Sequence, residues 1–480
     1  MDEMEELTEE QVVAMAEQAA ESAEQETDPE QICFYLRQAV KNYAAAGEKY
    51  WRKQLLYLRK LAVQKERQEK YDEALEYRSR TVELVRSIPS PTKTEICLLA
   101  EMYTYRGLTY YNMQKYAEER QDYDQAIALR KKVGNFGNNY CDLSIVYCNY
   151  ADTLLKQEDV QGALAQYQAA EKIARKYIRW YPWRRTTDAP TTGYDNKSGL
   201  ICLARAQLER AEHLKGRKEW RTTVIESYTA AIQTYRKLLK RNTLTKEERA
   251  EAMEFLAVAY NGRGVCYYAQ QQYQKEIQDC SHALSLRRKM EQTPENQLQS
   301  IVVCRNQCDC FELLENPKKA AECCKKALNI ADQLEKSTPG RFRREERIDL
   351  LICYAGNLDG CGNYEAAREG YTQALELLAQ EEAEGRPNGE YTALCHFRRG
   401  LDLSRSKHRL YGEGLIDYGR ALQALDSLEQ TPRISEFRIR FLRTRGDLAF
   451  AMGFHSMGDQ DFTLAADLEA MLPKEESPAS

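Results

Sequence analysis

Cysteines 304, 308, 310, 323 and 324 form the densest group of residues in this chain that could do chemistry. Thiolates at tetrahedral spacing hold zinc, and a helix would set Cys304 and Cys308 one turn apart, facing Cys324 on the next helix. A second reading uses the same spacing: Cys304, Cys308 and Cys324 occupy positions that other parts of the chain fill with bulky, small and aromatic packing residues. A buried thiol behaves as a small hydrophobe. Packing is the simpler account, so no metal and no cofactor are expected. Redox sensing is a third, weaker use of the same thiols.

The five histidines, His213, His282, His396, His408 and His455, show no pair at helical ligand spacing beside a carboxylate pattern. GxxxxGK[ST] and GxSxG motifs are absent. The glycines of "GNLDGCGNYEAAREG" fall on a turn between helices, not between a strand and a helix, which removes a phosphate-binding reading. No aligned acid/base cluster stands out, and an enzyme is not expected.

A different set of polar residues recurs beside small ones. Arg305, Asn306 and Asp309 surround Cys308; Asn149 and Asp152 surround Ala151; Asn261 precedes Gly264; Arg443, Thr444 and Asp447 surround Gly446. On a helix these side chains share the face opposite the buried one. Asn amides offer a donor and an acceptor to the main chain of an extended ligand, and Arg holds carboxylates. The bland alternative is a solvated polar face, with Arg305 and Asp309 as an intrahelical ion pair.

These residues must be held by helices. The 480-residue chain is 43% hydrophobic and 30% charged, with few Pro and Gly and abundant helix formers. A small residue, an aromatic four later and Ala three after that recur at Ala163/Tyr167/Ala170, Ala367/Tyr371/Ala374, Gly414/Tyr418/Ala421 and Gly458/Phe462/Ala465. Variants are Ala320/Cys324/Ala327, Val224/Tyr228/Ala231, Glu119/Tyr123/Ala126, Glu276/Cys280/Ala283 and a degenerate Ala74/Arg78/Thr81. A second small residue usually lies 12 positions earlier, as at Ala62, Gly107, Ala151, Gly264, Cys308, Ala355 and Gly446. Turns such as "NMQKY" and "LENPK" separate the two halves, so each unit is a helical hairpin. Successive copies are 45, 44, 61, 52, 44, 47, 47 and 44 residues apart, a near-constant period over about nine hairpins. Glu212 and Asp402 stand where strict spacing asks for a small residue, so the register is expected to slip there by a residue or two.

These small, aromatic and Ala positions resemble the tetratricopeptide repeat (TPR) family over nearly the whole chain, in the extended form of kinesin light chains and bacterial peptide-sensing regulators. The resemblance implies an all-α solenoid of about nine hairpins in a right-handed superhelix, whose first helices line a concave groove. It also implies a non-catalytic protein–protein interaction scaffold that binds an extended peptide or partner protein there, through Asn149, Asp152, Asn261, Arg305, Asn306, Asp309, Arg443 and Asp447. A peptide-responsive bacterial regulator, whose superhelix changes pitch on binding, is the alternative.

Departures from the repeat mark the expected organisation. Residues 1–30 carry 12 acidic and no basic side chains; removing them from a net charge of −5 leaves about +7, interspersed with acids. An acidic helix is expected there, docked or loose, opened by Thr8 and Gln11 in capping-box spacing, with Val12, Met15, Ala16, Ala19 and Ala23 on one face. Repeats are expected over residues 31–177 and 200–472, and a flexible tail over 473–480. Residues 178–199 read as an inserted loop. Its Trp180, Trp183, Arg184 and Arg185 either plug a gap in the repeats or form a second partner site, for instance for an acidic segment. No membrane-length apolar run and no export segment appear, so a cytoplasmic setting with reduced thiols is expected. No basic stripe calls for nucleic acid. The oligomeric state is not set by these features.

Overall fold

The computed structural model describes residues 7–180 and 196–472. Among them stand twenty α-helices and no strand, packed as consecutive antiparallel pairs. The first pair is α1 (Glu9–Gln25) with α2 (Pro29–Ala45), and the second α3 (Trp51–Arg67) with α4 (Tyr71–Arg86). Then follow α5 (Lys93–Asn112) with α6 (Tyr116–Val133), α7 (Asn139–Lys156) with α8 (Val160–Trp180), and α9 (Asn196–Leu214) with α10 (Arg221–Leu239). The remaining pairs are α11 (Lys246–Tyr268) with α12 (Tyr273–Arg287), α13 (Pro294–Leu313) with α14 (Pro317–Ser337), and α15 (Arg344–Gly360) with α16 (Tyr364–Ala383). The last two are α17 (Gly389–Arg405) with α18 (Tyr411–Asp426), and α19 (Pro432–Ala451) with α20 (His455–Met471). The chain divides into two compact units, Met1–Phe255 and Leu256–Ser480. Within each, hairpins stack on their neighbours in chain order, the arrangement of an α-solenoid built from TPR-like repeats. No helix among the described residues is long and apolar enough to cross a membrane.

Local chemistry starts and stops these helices. Thr8 and Gln11 close a capping box on α1, and Thr92 and Glu95 do so on α5. Pro at the first turn follows a capping Asp28, Thr293, Asn316 or Thr431. The turn inside many hairpins puts one residue in the left-handed region: Glu69, Gln114, Glu158, Gln271 and Glu315 have φ between 52° and 63°. The next backbone N–H then reaches back five residues, as from Lys115 to Tyr110 and from Asn316 to Phe311.

α1 is seated on α2. Ala16, Ala20 and Ala23 are buried against a cluster that includes Cys33, Leu36, Ala39, Tyr43, Leu58 and Leu61. Met15, which shares the expected apolar face, is 46% exposed instead, because the burying face turns toward Ala20.

The small residues do what their spacing predicts. A side-chain carbon at Gly107 would sit 2.8 Å from the Tyr123 ring, and one at Gly400 2.8 Å from Tyr418. Gly400, not Asp402, is therefore the small contact of its hairpin. The turn between α17 and α18 is five residues long against three between α5 and α6, which moves the contact back by two. In α9 the buried small residue is Ala211, and Glu212 accepts a hydrogen bond from Tyr228 at 2.7 Å.

One recurrent device is an ion pair beside the small contact. The residue before the small position is Arg and the residue before the aromatic position is Asp, and they meet in two parallel hydrogen bonds. Arg106–Asp122, Arg263–Asp279, Arg399–Asp417 and Arg445–Asp461 all close at 2.6–2.8 Å. Each Asp is 3% exposed. This fork geometry fixes the register of one helix on the other as well as adding a charge-assisted bond.

Candidate binding face of the first helices

The odd-numbered helices meet their counterparts in neighbouring hairpins through polar side chains. In the first unit, Arg59 of α3 reaches Glu101 of α5 at 2.9 Å, and Thr109 of α5 donates to Glu66 of α3 at 2.7 Å. Asp152 of α7 accepts from the Tyr167 hydroxyl and pairs with His213 of α9 at 3.0 Å. The hydrogen bond that His213 donates to Asp152 raises the His213 pKa above its ordinary value, against the opposing effect of burial. Thr153 donates to Glu119 at 2.6 Å, and burial pushes that carboxyl up to about 7.

In the second unit, Nδ2 of Asn306 on α13 donates to Oδ1 of Asn261 on α11 at 3.1 Å. Arg305 pairs with Asp349 of α15 at 3.6 Å. Asp349 in turn raises the Tyr391 hydroxyl on α17, chiefly by a side-chain hydrogen bond. Arg398 and Arg405 of α17 both approach Asp359 of α15, at 3.7 and 3.3 Å. The polar residues of successive first helices thus form a ladder along one face within the unit.

The residues singled out by spacing fall at several stations of these ladders. Asn261 and Asn306 are brought into contact, with Arg305 exposed and Asp309 half-buried on the same helix as Asn306. Arg305 pairs with Asp349 in the next hairpin, not with Asp309. Burial raises the Asp309 carboxyl. Asn149 is half-buried, and its backbone carbonyl accepts from Thr153. Asp152 is engaged by Tyr167 and His213. Arg443 turns to Glu469 of its own partner helix α20 at 2.5 Å, and Asp447 is exposed. Trp183, Arg184 and Arg185 lie outside the described residues, as does the side chain of Trp180 at the end of α8.

Two depressions open beside the ladder of the second unit. One, of about 340 Å³, is lined by Glu312, Cys353, Asn357, Tyr371 and Arg398 among others. The other, of about 400 Å³, includes Asp349, Arg386, Asn388 and Tyr391. Spacing missed Glu312, Cys353, Asn357 and Tyr391. A signal for Cys353 was available: it stands two residues before the small Ala355, the offset that Asn149 and Asn306 hold from Ala151 and Cys308.

No protein-family model matches this chain, and no curated protein does. Similar solved structures include the apo form of RapI (13% identical, TM-score 0.35, covering 96% of this chain and 97% of that one). The apo form of the quorum sensor NprR from B. thuringiensis is 12% identical at TM-score 0.37, covering 96% and 99%. The C-terminal part of a TPR repeat-containing protein from Cytophaga hutchinsonii is 15% identical at TM-score 0.40, covering 66% and 94%.

Proposed function

We propose that this chain is a non-catalytic interaction scaffold that takes an extended peptide or a partner protein along the first-helix face. The observation that carries the reading is the Asn306–Asn261 pair. One hydrogen bond joins the two amides, which leaves the Asn306 oxygen, the Asn261 nitrogen and the second Asn306 hydrogen for a ligand's main chain. Exposed Arg305 beside it suits a carboxylate. In the first unit Asn149 and Asp152 hold the related station, and Arg443 with Asp447 do so on α19.

The test is native mass spectrometry of the full chain purified without denaturant, with sequencing of whatever is released. A bound peptide or protein that is lost from an Asn261→Ala/Asn306→Ala variant with an unchanged circular dichroism spectrum supports the reading. Equal occupancy in that variant removes these residues from the site. One defined short peptide, rather than a stable protein partner, would favour a peptide-responsive regulator.

A further inference from the structure

Cys308, Cys324 and Cys353 come from three successive helices, α13, α14 and α15, and meet at one point. Their sulfurs are 3.1 Å (308–324), 3.6 Å (308–353) and 3.4 Å (324–353) apart. Oε1 of Glu312, one turn along α13 from Cys308, lies 3.2 Å from the Cys353 sulfur and 3.7 Å from that of Cys308. We propose that these three thiolates and the Glu312 carboxylate bind one Zn²⁺ ion, which clips hairpin α13/α14 to α15.

The three sulfurs lie near the dimensions of such a site, with the Glu312 carboxylate beside two of them. A tetrahedral ion with Zn–S bonds near 2.3 Å places its sulfurs about 3.8 Å apart and a carboxylate oxygen about 3.5 Å from each sulfur. To reach these dimensions Cys308 and Cys324 part by about 0.7 Å and the other two sulfur pairs by about 0.2–0.4 Å, while Glu312 Oε1, already beside Cys353 and Cys308, swings toward Cys324. An outer shell is also present. Asn357 donates to Glu312 Oε1 and to the Cys353 carbonyl, which fixes the carboxylate's orientation. Glu312, Cys353 and Asn357 line the 340 Å³ depression, which provides a path for the ion.

Packing alone does not explain the cluster. Cys324 replaces the aromatic that is Tyr in five other hairpins, at positions 123, 167, 228, 371 and 418. Cys280 makes the same replacement in the preceding hairpin without gathering partners of this kind; among the described residues the one group of metal-ligand type is Cys308, Cys324 and Cys353. A carboxylate beside three converging thiols supplies a fourth, anionic donor of the kind zinc accepts. The grouping differs from the one sequence spacing offers. Cys304 does not join it, Cys310 points to Glu276 at 2.7 Å, and Cys323 faces Gln307 at 3.5 Å.

The experiment uses the full chain, reduced and freed of metal, titrated with Zn²⁺ and separately with Co²⁺ as a spectroscopic stand-in. The expected result is one ion per chain, release of thiol protons, a higher melting temperature with Zn²⁺, and a Co²⁺ spectrum with sulfur charge transfer and tetrahedral d–d intensity. Cys353→Ser should abolish these signals. Asn357→Ala should weaken binding about 10–100-fold. Cys324→Tyr, which restores the residue of the other hairpins, should fold and bind no metal. Cys304→Ser and Cys395→Ser should bind as the parent does. Failure of the parent to bind, an octahedral sulfur-free Co²⁺ spectrum, equal affinity in Cys353→Ser, or binding of Cu⁺ but not Zn²⁺ would each overturn the assignment.

Discussion

The amide of Asn306 donates to that of Asn261 across 3.1 Å, so two residues 45 positions apart join consecutive hairpins on the face proposed to bind a ligand. The pair is structural and available at once. Asn306→Ala or Asn261→Ala should cost about 0.5–1.5 kcal/mol of stability, and the double variant less than the sum, since both remove the same bond. Each should also weaken a ligand by about 1–3 kcal/mol. Urea unfolding and calorimetric titration measure the two effects separately. Additive stability losses would show that the amides do not interact.

The Arg–Asp forks should be among the most sensitive points of the fold. Asp122→Ala leaves Arg106 without the carboxylate that it grips through Nε and Nη2, and the expected loss is about 3–5 kcal/mol. Replacing both by apolar residues of similar size should recover much of it. A loss below about 1 kcal/mol in the single variant would class the fork with ordinary surface pairs.

His213 should give the first unit a pH dependence of known sign. Its folded pKa lies above the unfolded value because of Asp152. The stabilisation is fully present below about pH 6.5, the unfolded value, and is lost as pH rises through the folded pKa. Glu119, raised to about 7 by burial, has the same sign but an earlier window: its loss begins near the ordinary carboxylate value and is complete just above pH 7. The informative quantity is therefore the melting temperature of the parent minus that of His213→Gln. It should shrink from pH 6 to 8, and a constant difference would show that Asp152 does not hold the protonated ring.

The hairpin turns contain room for stabilisation. Gln114 and Glu158 hold φ of 58° and 63°, a region that disfavours residues with a side chain. Gln114→Gly and Glu158→Gly should each stabilise by about 0.5–1 kcal/mol, since glycine meets no such penalty there. A loss on thermal denaturation would mean that the side chains contribute contacts which outweigh the backbone term.

The hairpins were legible in the sequence because their defining contacts recur at short, fixed separations. Gly107 under Tyr123 and Gly446 under Phe462 both lie 16 residues from their aromatic partners, across a three-residue turn. A spacing repeated in copy after copy survives substitutions in any one of them. The same regularity placed Asn261 and Asn306 on one face, though it could not show that they touch. Tertiary structure decided what depends on how a turn is built or how hairpins stack. The longer turn after α17 hands the small contact to Gly400 and buries Asp402 instead. Stacking of α15 on α14 carries Cys353 to Cys324 from 29 residues away, past the nearer Cys304, Cys310 and Cys323. Helical periodicity sets the direction of a side chain about its own axis. Only the packing of one axis on another sets which side chain it meets.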